Sequence, residues 1–295
     1  MQAFVPAVET ARDSVVKLVL ADKTIALGTV VDKSGLVVTK ASEMKSGTLT
    51  CKLADGKEAE ATLLGVDDVN DLALIRVAAA GLKPVQWAAE EASVGQWAVT
   101  PGIGSTPEAV GIVSVPTRKL HKRAFIGVVL DPNASQARIA EIMTGLGAEK
   151  AGLKPGDVIL AANEQHPKNS EELMKVLRQF REGQTVKLRV QRGDDEFDAS
   201  VSLMVPRSTP APAGFRRPNR QERMNRMGGE LSQRAEGFEF AIQHDTVLQP
   251  WQCGGPLVNL DGKAIGLNIA RAGRAASYAL PAALVKQIVE AWVSP

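Results

Sequence analysis

The chemistry this 295-residue chain can offer rests on two cysteines, three histidines and a few carboxylates. Cys253 stands at the head of Cys253-Gly254-Gly255-Pro256-Leu257, a Gly-Gly-Pro-Leu turn directly after a single reactive-type residue. A thiol attacks as thiolate, so Cys253 needs a neighbour that lowers its pKa or takes its proton. His244 lies nine residues earlier and would be a relocated base; the plainer alternative is a strand histidine that packs or hydrogen-bonds. Cys51 and Cys253 show no paired ligand spacing, so they read as two free, half-buried thiols. No metal and no other cofactor is expected. His121 falls in a basic run with Arg118, Lys119, Lys122 and Arg123, a linker face or a guide for acidic chain termini. His166 falls in a turn and is expected to face solvent.

The elements that must position these residues change in texture along the chain. Residues 15–115 are short β-rich runs divided by turns, such as Leu36-Val37-Val38-Thr39 after Asp32-Lys33-Ser34-Gly35. Residues 48–64 are expected to form a hairpin around Asp55-Gly56. Many short strands with few helices predict a mostly β barrel or sandwich. After Pro116 the pattern becomes α+β. Leu173, Val176, Leu177 and Phe180 mark one face of a helix over 170–180, with Ser170 as its cap. Residues 206–237 alternate prolines with Arg207, Arg216, Arg217, Arg220, Arg223, Arg226 and Arg234 and read as a linker or solvated loop. Strands resume at 238, and an amphipathic helix over about 282–292 ends the chain. Four segments follow: 1–115, 116–205, 206–237 and 238–295.

Bulk composition narrows the function classes. With 44% hydrophobic and 23% charged residues the chain is ordinary for a globular protein, and a net charge of +2 gives no argument for a nucleic-acid partner. No stretch approaches the roughly 20 apolar residues of a membrane span. Residues 1–8 carry no basic region followed by an apolar run, so no signal peptide is visible.

Three ordered motifs resemble the HtrA/Deg family of trypsin-like serine proteases. Gly28-Thr29-Val30-Val31 through Leu36-Val37-Val38-Thr39-Lys40-Ala41-Ser42 is similar to the stretch that ends in that family's catalytic histidine. Val66-Asp67-Asp68-Val69-Asn70-Asp71-Leu72-Ala73-Leu74 resembles the stretch with its catalytic aspartate. Cys253-Gly254-Gly255-Pro256-Leu257, followed by Tyr278-Ala279-Leu280-Pro281, resembles its nucleophile region. The resemblance implies a chymotrypsin-like pair of six-stranded β-barrels with triad positions Ser42, Asp71 and Cys253. Trp251 and Gly254 would then form the oxyanion loop. A seryl hydroxyl has no useful proton affinity near neutral pH, and Trp251 stands where the family has glycine. The triad is therefore expected to be degenerate, with Lys40 either pairing with Asp71 or solvated on a cleft rim.

The middle segment resembles a PDZ domain inserted into the second barrel. Phe125-Ile126-Gly127-Val128 matches that family's carboxylate-binding loop, and residues 147–159 match its following helix, turn and strand. The resemblance implies capture of peptides or protein C-termini by strand addition, with Ser170 or Glu171 near the ligand. The expected function is a catalytically inactive protease homologue acting as a peptide-binding scaffold. The alternative is an active endopeptidase using Cys253, with His244 or a partner-supplied group as base. A periplasmic or envelope location and homo-oligomerisation are implied by the resemblance alone.

Overall fold

The computed structural model of the chain describes residues 1–44, 47–120, 124–205, 224 and 227–293. The chain divides into two compact units, Met1–Leu120 with Arg217–Pro295, and His121–Arg216. It enters on α1 (Val5–Ala11), whose Ala7, Val8 and Ala11 are buried, the last two in a cluster with Val85, Val99, Val258 and Ala264. Strands β1 (Val15–Leu20), β2 (Lys23–Val30), β3 (Leu36–Lys40), β4 (Leu49–Lys52), β5 (Glu58–Asp67) and β6 (Leu72–Val77) follow. They close into a barrel in the order β1-β2-β3-β6-β5-β4.

Strand alternation explains how this barrel can be apolar on both faces. Val37 on β3 and Ile75 and Val77 on β6 turn inward beside Val16 and Leu18. Leu36, Val38, Leu72 and Leu74 point the other way, yet they do not meet water: they pack with Phe238, Ala241, Leu267, Ile269 and Leu280. Burying each such side chain stabilises the fold by roughly 1.5–3 kcal/mol, so the outer face of β3 and β6 helps to fix the second barrel against the first.

The second barrel begins with β7 (Trp97–Pro101) and β8 (Pro107–Arg118). The chain then builds the other unit from β9 (Val128–Leu130), β10 (Ile139–Ile142), α2 (Gly147–Lys150), β11 (Val158–Ala162), α3 (Ser170–Leu177), β12 (Thr185–Arg192) and β13 (Asp195–Ser202). It returns as β14 (Ala241–His244), β15 (Pro256–Val258), β16 (Ala264–Gly273), β17 (Ala276–Pro281) and α4 (Ala282–Val293). The second barrel runs β14-β17-β16-β15-β7-β8. It closes where Ala241 pairs with Arg118, Gln243 with Val115 and His244 with Val113. The inserted unit thus sits in the connection between two antiparallel neighbours. Leu120 N–H bonds to the Phe238 carbonyl at 3.1 Å where the two ends of that connection meet.

The inserted unit holds a two-stranded sheet, β10-β9, and a three-stranded sheet, β11-β12-β13. Its core includes Ile126, Ile139, Ile159, Leu173, Leu188 and Leu203. Phe125 and Met204 exchange both backbone hydrogen bonds at 2.9 Å, joining its ends. The helix expected over 170–180 stops at Leu177, and its cap is Asn169 instead of Ser170. Asn169 Oδ1 accepts the Glu172 N–H at 3.0 Å, whereas the Ser170 hydroxyl turns to the Asp131 carbonyl at 3.4 Å. His121, Lys122 and Arg123 of the basic run, and residues 206–223, 225 and 226 of the Pro/Arg-rich stretch, lie outside the described residues. No helix among the described residues is long and apolar enough to cross a membrane.

Candidate functional site at the barrel junction and on the inserted unit

Asp71 lies just ahead of β6 with φ at 60°, a left-handed backbone that aspartate tolerates, and its carbonyl accepts the Ala41 N–H at 2.8 Å. This fixes Asp71 against the end of β3. Ser42 donates both of its groups to that carboxylate, N–H to Oδ1 at 2.7 Å and Oγ to Oδ2 at 2.9 Å. The structure therefore brings Ser42 and Asp71 together, with serine as a hydrogen-bond donor where a base would need a basic nitrogen. Lys40 has a fully buried side chain, with Nζ 4.0 Å from Asp71 Oδ2 and 3.4 Å from Glu43 Oε1. It is paired, not solvated. Burial pushes the Asp71 carboxyl above the ordinary carboxylate range, and the charge of Lys40 and the Ser42 hydrogen bonds oppose that rise.

The Cys253 side is shaped by a 3-10 turn over Pro250–Gln252. Gln249 N–H donates to Gln252 Oε1 at 2.7 Å, and Gln252 Nε2 donates to Glu108 Oε2 at 3.0 Å. Trp251 is half-buried, with Lys17 Nζ 5.4 Å from its ring centroid. The Cys253 N–H bonds to the Pro250 carbonyl at 3.1 Å, and the Gly254 N–H bonds to the Asn268 carbonyl at 2.7 Å. Both amides are committed inside the protein and are not aimed at an incoming oxyanion. Gly254 has φ at 92°, and a Cβ there would run into the Leu27 carbonyl and Thr39 Oγ1. Leu27 N–H reaches the Cys253 carbonyl at 3.0 Å and Thr29 Oγ1 reaches the Gly254 carbonyl at 3.0 Å, so this turn joins the two barrels.

Cys253 is fully buried, and burial pushes its thiol up to about 11 despite the opposing charge of Lys40. Its hydrogen-bonding neighbour is Ser232 Oγ, 3.9 Å from Sγ. His244 is also fully buried; Nδ1 meets Thr246 Oγ1 at 2.5 Å and Nε2 has no hydrogen-bond partner. Desolvation lowers its pKa to about 3. Among the described residues no hydrogen bond links Cys253 to His244 or to Ser42. Cys51 is likewise fully buried, in the first barrel's core, with a thiol raised to about 12. Both thiols are thus buried where half-buried ones were expected, because Cys51 turns into the first barrel's apolar core and Cys253 is enclosed with Ala109, Leu248 and the Ser232 hydroxyl. No group of three or more His, Cys, Asp or Glu suited to a metal occurs among the described residues.

Sequence reasoning missed three contributors: Ser232, Arg234 and Arg271. Ser232 N–H bonds to the Arg271 carbonyl at 3.1 Å, and Arg271 N–H bonds to Ser232 Oγ at 2.9 Å. Arg271 is fully buried, and its Nη1 donates to the carbonyls of Gly228 and Leu248, each at 2.9 Å. The signal available was an arginine inside the apolar run Ile269-Ala270-Arg271-Ala272.

On the inserted unit, the loop before β9 leaves donors open. Ile126 is buried and Phe125 is 41% exposed. The N–H groups of Ile126 and Gly127 make no hydrogen bond among the described residues. Gly127 has φ at 92°, and a Cβ there would strike Leu146. Val128 opens β9, which pairs with β10 on one side only. The Ser170 bond to Asp131 sets the start of α3 beside the end of β9. His166 is exposed.

A family model for a trypsin-like peptidase domain matches residues 26–140, and one for a PDZ domain matches residues 124–203. They overlap where β9 and β10 begin the inserted unit. The chain is 34% identical over 100 residues to the chloroplastic protease Do-like 8 of Arabidopsis thaliana, across 28% of this chain and 22% of that one. It is 25% identical over 263 residues to a probable periplasmic serine endoprotease, DegP-like, of Hahella chejuensis, across 60% of this chain and 56% of that one. It thus spans little more than half of the bacterial relative and about a fifth of the plant one. An HtrA-type protease solved with a decapeptide aligns with a TM-score of 0.42 at 16% identity, over 72% of this chain and 99% of that one. A trypsin-like peptidase domain and a PDZ domain in one chain, with DegP-like relatives, make this protein a homologue of the HtrA-type proteases that carries a PDZ domain.

Proposed function

We propose that the double-barrel unit does not cut peptide bonds and that the chain works as a peptide- and protein-binding scaffold through its PDZ domain. The observation that carries this reading is the state of Cys253: fully buried, thiol raised to about 11, with a serine hydroxyl as its hydrogen-bonding neighbour. A triad without its base or nucleophile loses on the order of 10⁶ in turnover. Here the base position is Ser42, the buried His244 is hydrogen-bonded to Thr246, and the Cys253 amide is held by Pro250. A bound peptide adds as a strand to the open edge of β9, and its terminal carboxylate takes the N–H groups of Ile126 and Gly127. Its setting is protein quality control in the cell envelope, in keeping with the DegP-like relative described as periplasmic.

A casein digestion time course with the wild-type chain and Cys253→Ala tests this. Neither protein is expected to produce fragments. Cleavage by the wild type that disappears in Cys253→Ala would overturn the proposal in favour of a cysteine endopeptidase.

A further inference from the structure

We propose that residues 228–237 are an internal strap that occupies the peptide-accepting edge of the barrel unit beside Cys253. The argument begins with unequal strand lengths. β15 spans 3 residues and β16 spans 10, and their pairing ends at Pro256 with Leu267. The edge of β16 beyond Leu267 therefore outruns its neighbour, and its backbone groups need other partners. Asn268 finds them in the glycine turn: its N–H bonds to Gly255 and its carbonyl accepts from Gly254. Arg271 finds both of its partners in Ser232, one through the backbone and one through the hydroxyl. An extended peptide joins a sheet at such an edge. Here a piece of the same chain already fills it, and the side chain that does so touches Cys253.

Both ends of the strap are fastened. Arg271 holds the Gly228 carbonyl from within the second barrel. Gly229 has φ at 129°, and a Cβ there would lie 2.9 Å from Arg271 Nη1, so that end requires glycine. At the other end Arg234 reaches into the first barrel's β5–β6 turn, donating Nη1 to the Asp68 carbonyl and Nη2 to the Val69 carbonyl at 2.6 Å. Its own carbonyl accepts from Lys40 Nζ at 3.3 Å, and its guanidinium lies 5.0 Å from the Phe238 ring centroid. The strap thus runs from the second barrel, past Cys253, to the loop that carries Asp71. Any extended chain entering that edge must first displace Ser232.

This deepens the reading of the barrel unit as non-cutting, and alkylation separates the two because it reports access to sulfur and not cleavage. The full-length chain is treated with iodoacetamide under native conditions, and each cysteine is followed by peptide mass spectrometry. Cys51, sealed in the first barrel's core, reports global opening. Arg234→Ala is expected to raise Cys253 alkylation about tenfold with Cys51 unchanged, as local opening does when one anchor is lost. Ser232→Ala, which keeps the backbone bond and changes little volume, is expected to give a smaller rise of about threefold, and it remains informative if the first variant folds poorly. Rates at Cys253 that match wild type in both variants, or that rise only in parallel with Cys51, would overturn the strap.

Discussion

Burial decides which ionisable side chains of the barrel unit can act. With its thiol at about 11, roughly one molecule in ten thousand carries the thiolate at pH 7. His244 is the clearer case, because its pKa falls from the model-peptide value of 6.5 to about 3 through desolvation. A lowered folded-state pKa for a base means that the unfolded chain binds the extra proton first. Stability supplied by neutral His244 is therefore complete above pH 6.5 and lost as pH falls from 6.5 towards 3. The loss reaches about 2 kcal/mol by pH 5, at 1.36 kcal/mol per pH unit. Asp71 has the opposite sign: its raised pKa adds stability at low pH that disappears as pH climbs through the raised value. His244→Asn keeps a polar group for Thr246 and removes the titration. Urea unfolding at pH 8 and pH 5 should show a drop for wild type larger by about 2 kcal/mol than for the variant. Equal drops would mean that His244 is solvated when the fold is intact.

At the scale of elements, glycine positions tie sequence to shape in both units. Gly254 lets one turn touch both barrels, and Gly127 lets the loop before β9 pass under Leu146 while its N–H groups stay open. If those donors hold a terminal carboxylate, peptides with free C-termini bind more tightly than their amidated forms, by about 1.5–3 kcal/mol for a charge-assisted bond. Gly127→Glu should abolish binding, since it adds a side chain against Leu146 and a negative charge at the carboxylate site. Fluorescence anisotropy with paired free and amidated peptides reads both effects, and equal affinities would argue against carboxylate capture. Much of this layer was legible from sequence. The apolar period of Leu173, Val176 and Leu177 marks α3, and Leu36-Val37-Val38 marks a strand, which the fold goes on to bury on both faces. The cap shifted by one residue because Asn169 and Ser170 have similar capping propensity, and which one turns inward depends on Asp131 across the fold. The strap was not legible, because its bonds join Ser232 to Arg271 and Arg234 to Asp68, partners far apart in sequence, and in each bond one side is a backbone group that carries no residue signature. Its Pro- and Arg-rich approach has the composition of a linker.

Across the whole molecule, the insertion point explains how a barrel can carry a second unit. β8 and β14 are paired neighbours, so the chain leaving at Arg118 returns beside the same residue, and the insert replaces a hairpin loop. Closing a longer loop adds only about 0.6 kcal/mol for each doubling of length, a small charge against a barrel whose pairing is otherwise complete. The inserted unit meets the matching condition at its own end: Phe125 and Met204 hold each other by two backbone bonds, and its buried residues form a cluster of their own. Those two features predict that residues 124–205, expressed alone, fold cooperatively. At about 80 residues the fragment is small, so its stability should fall near the lower end of the range for single domains, about 5 kcal/mol. Replacing Phe125 by proline removes the N–H that bonds to the Met204 carbonyl and should lower the midpoint of thermal unfolding by several degrees, on the scale of 4–8 °C per kcal/mol for a domain of this size. Calorimetry on the fragment and on the proline variant measures both. A fragment without a cooperative transition would mean that the cluster around Ile159 and Leu188 is not sufficient, and that the unit depends on the barrels for its fold.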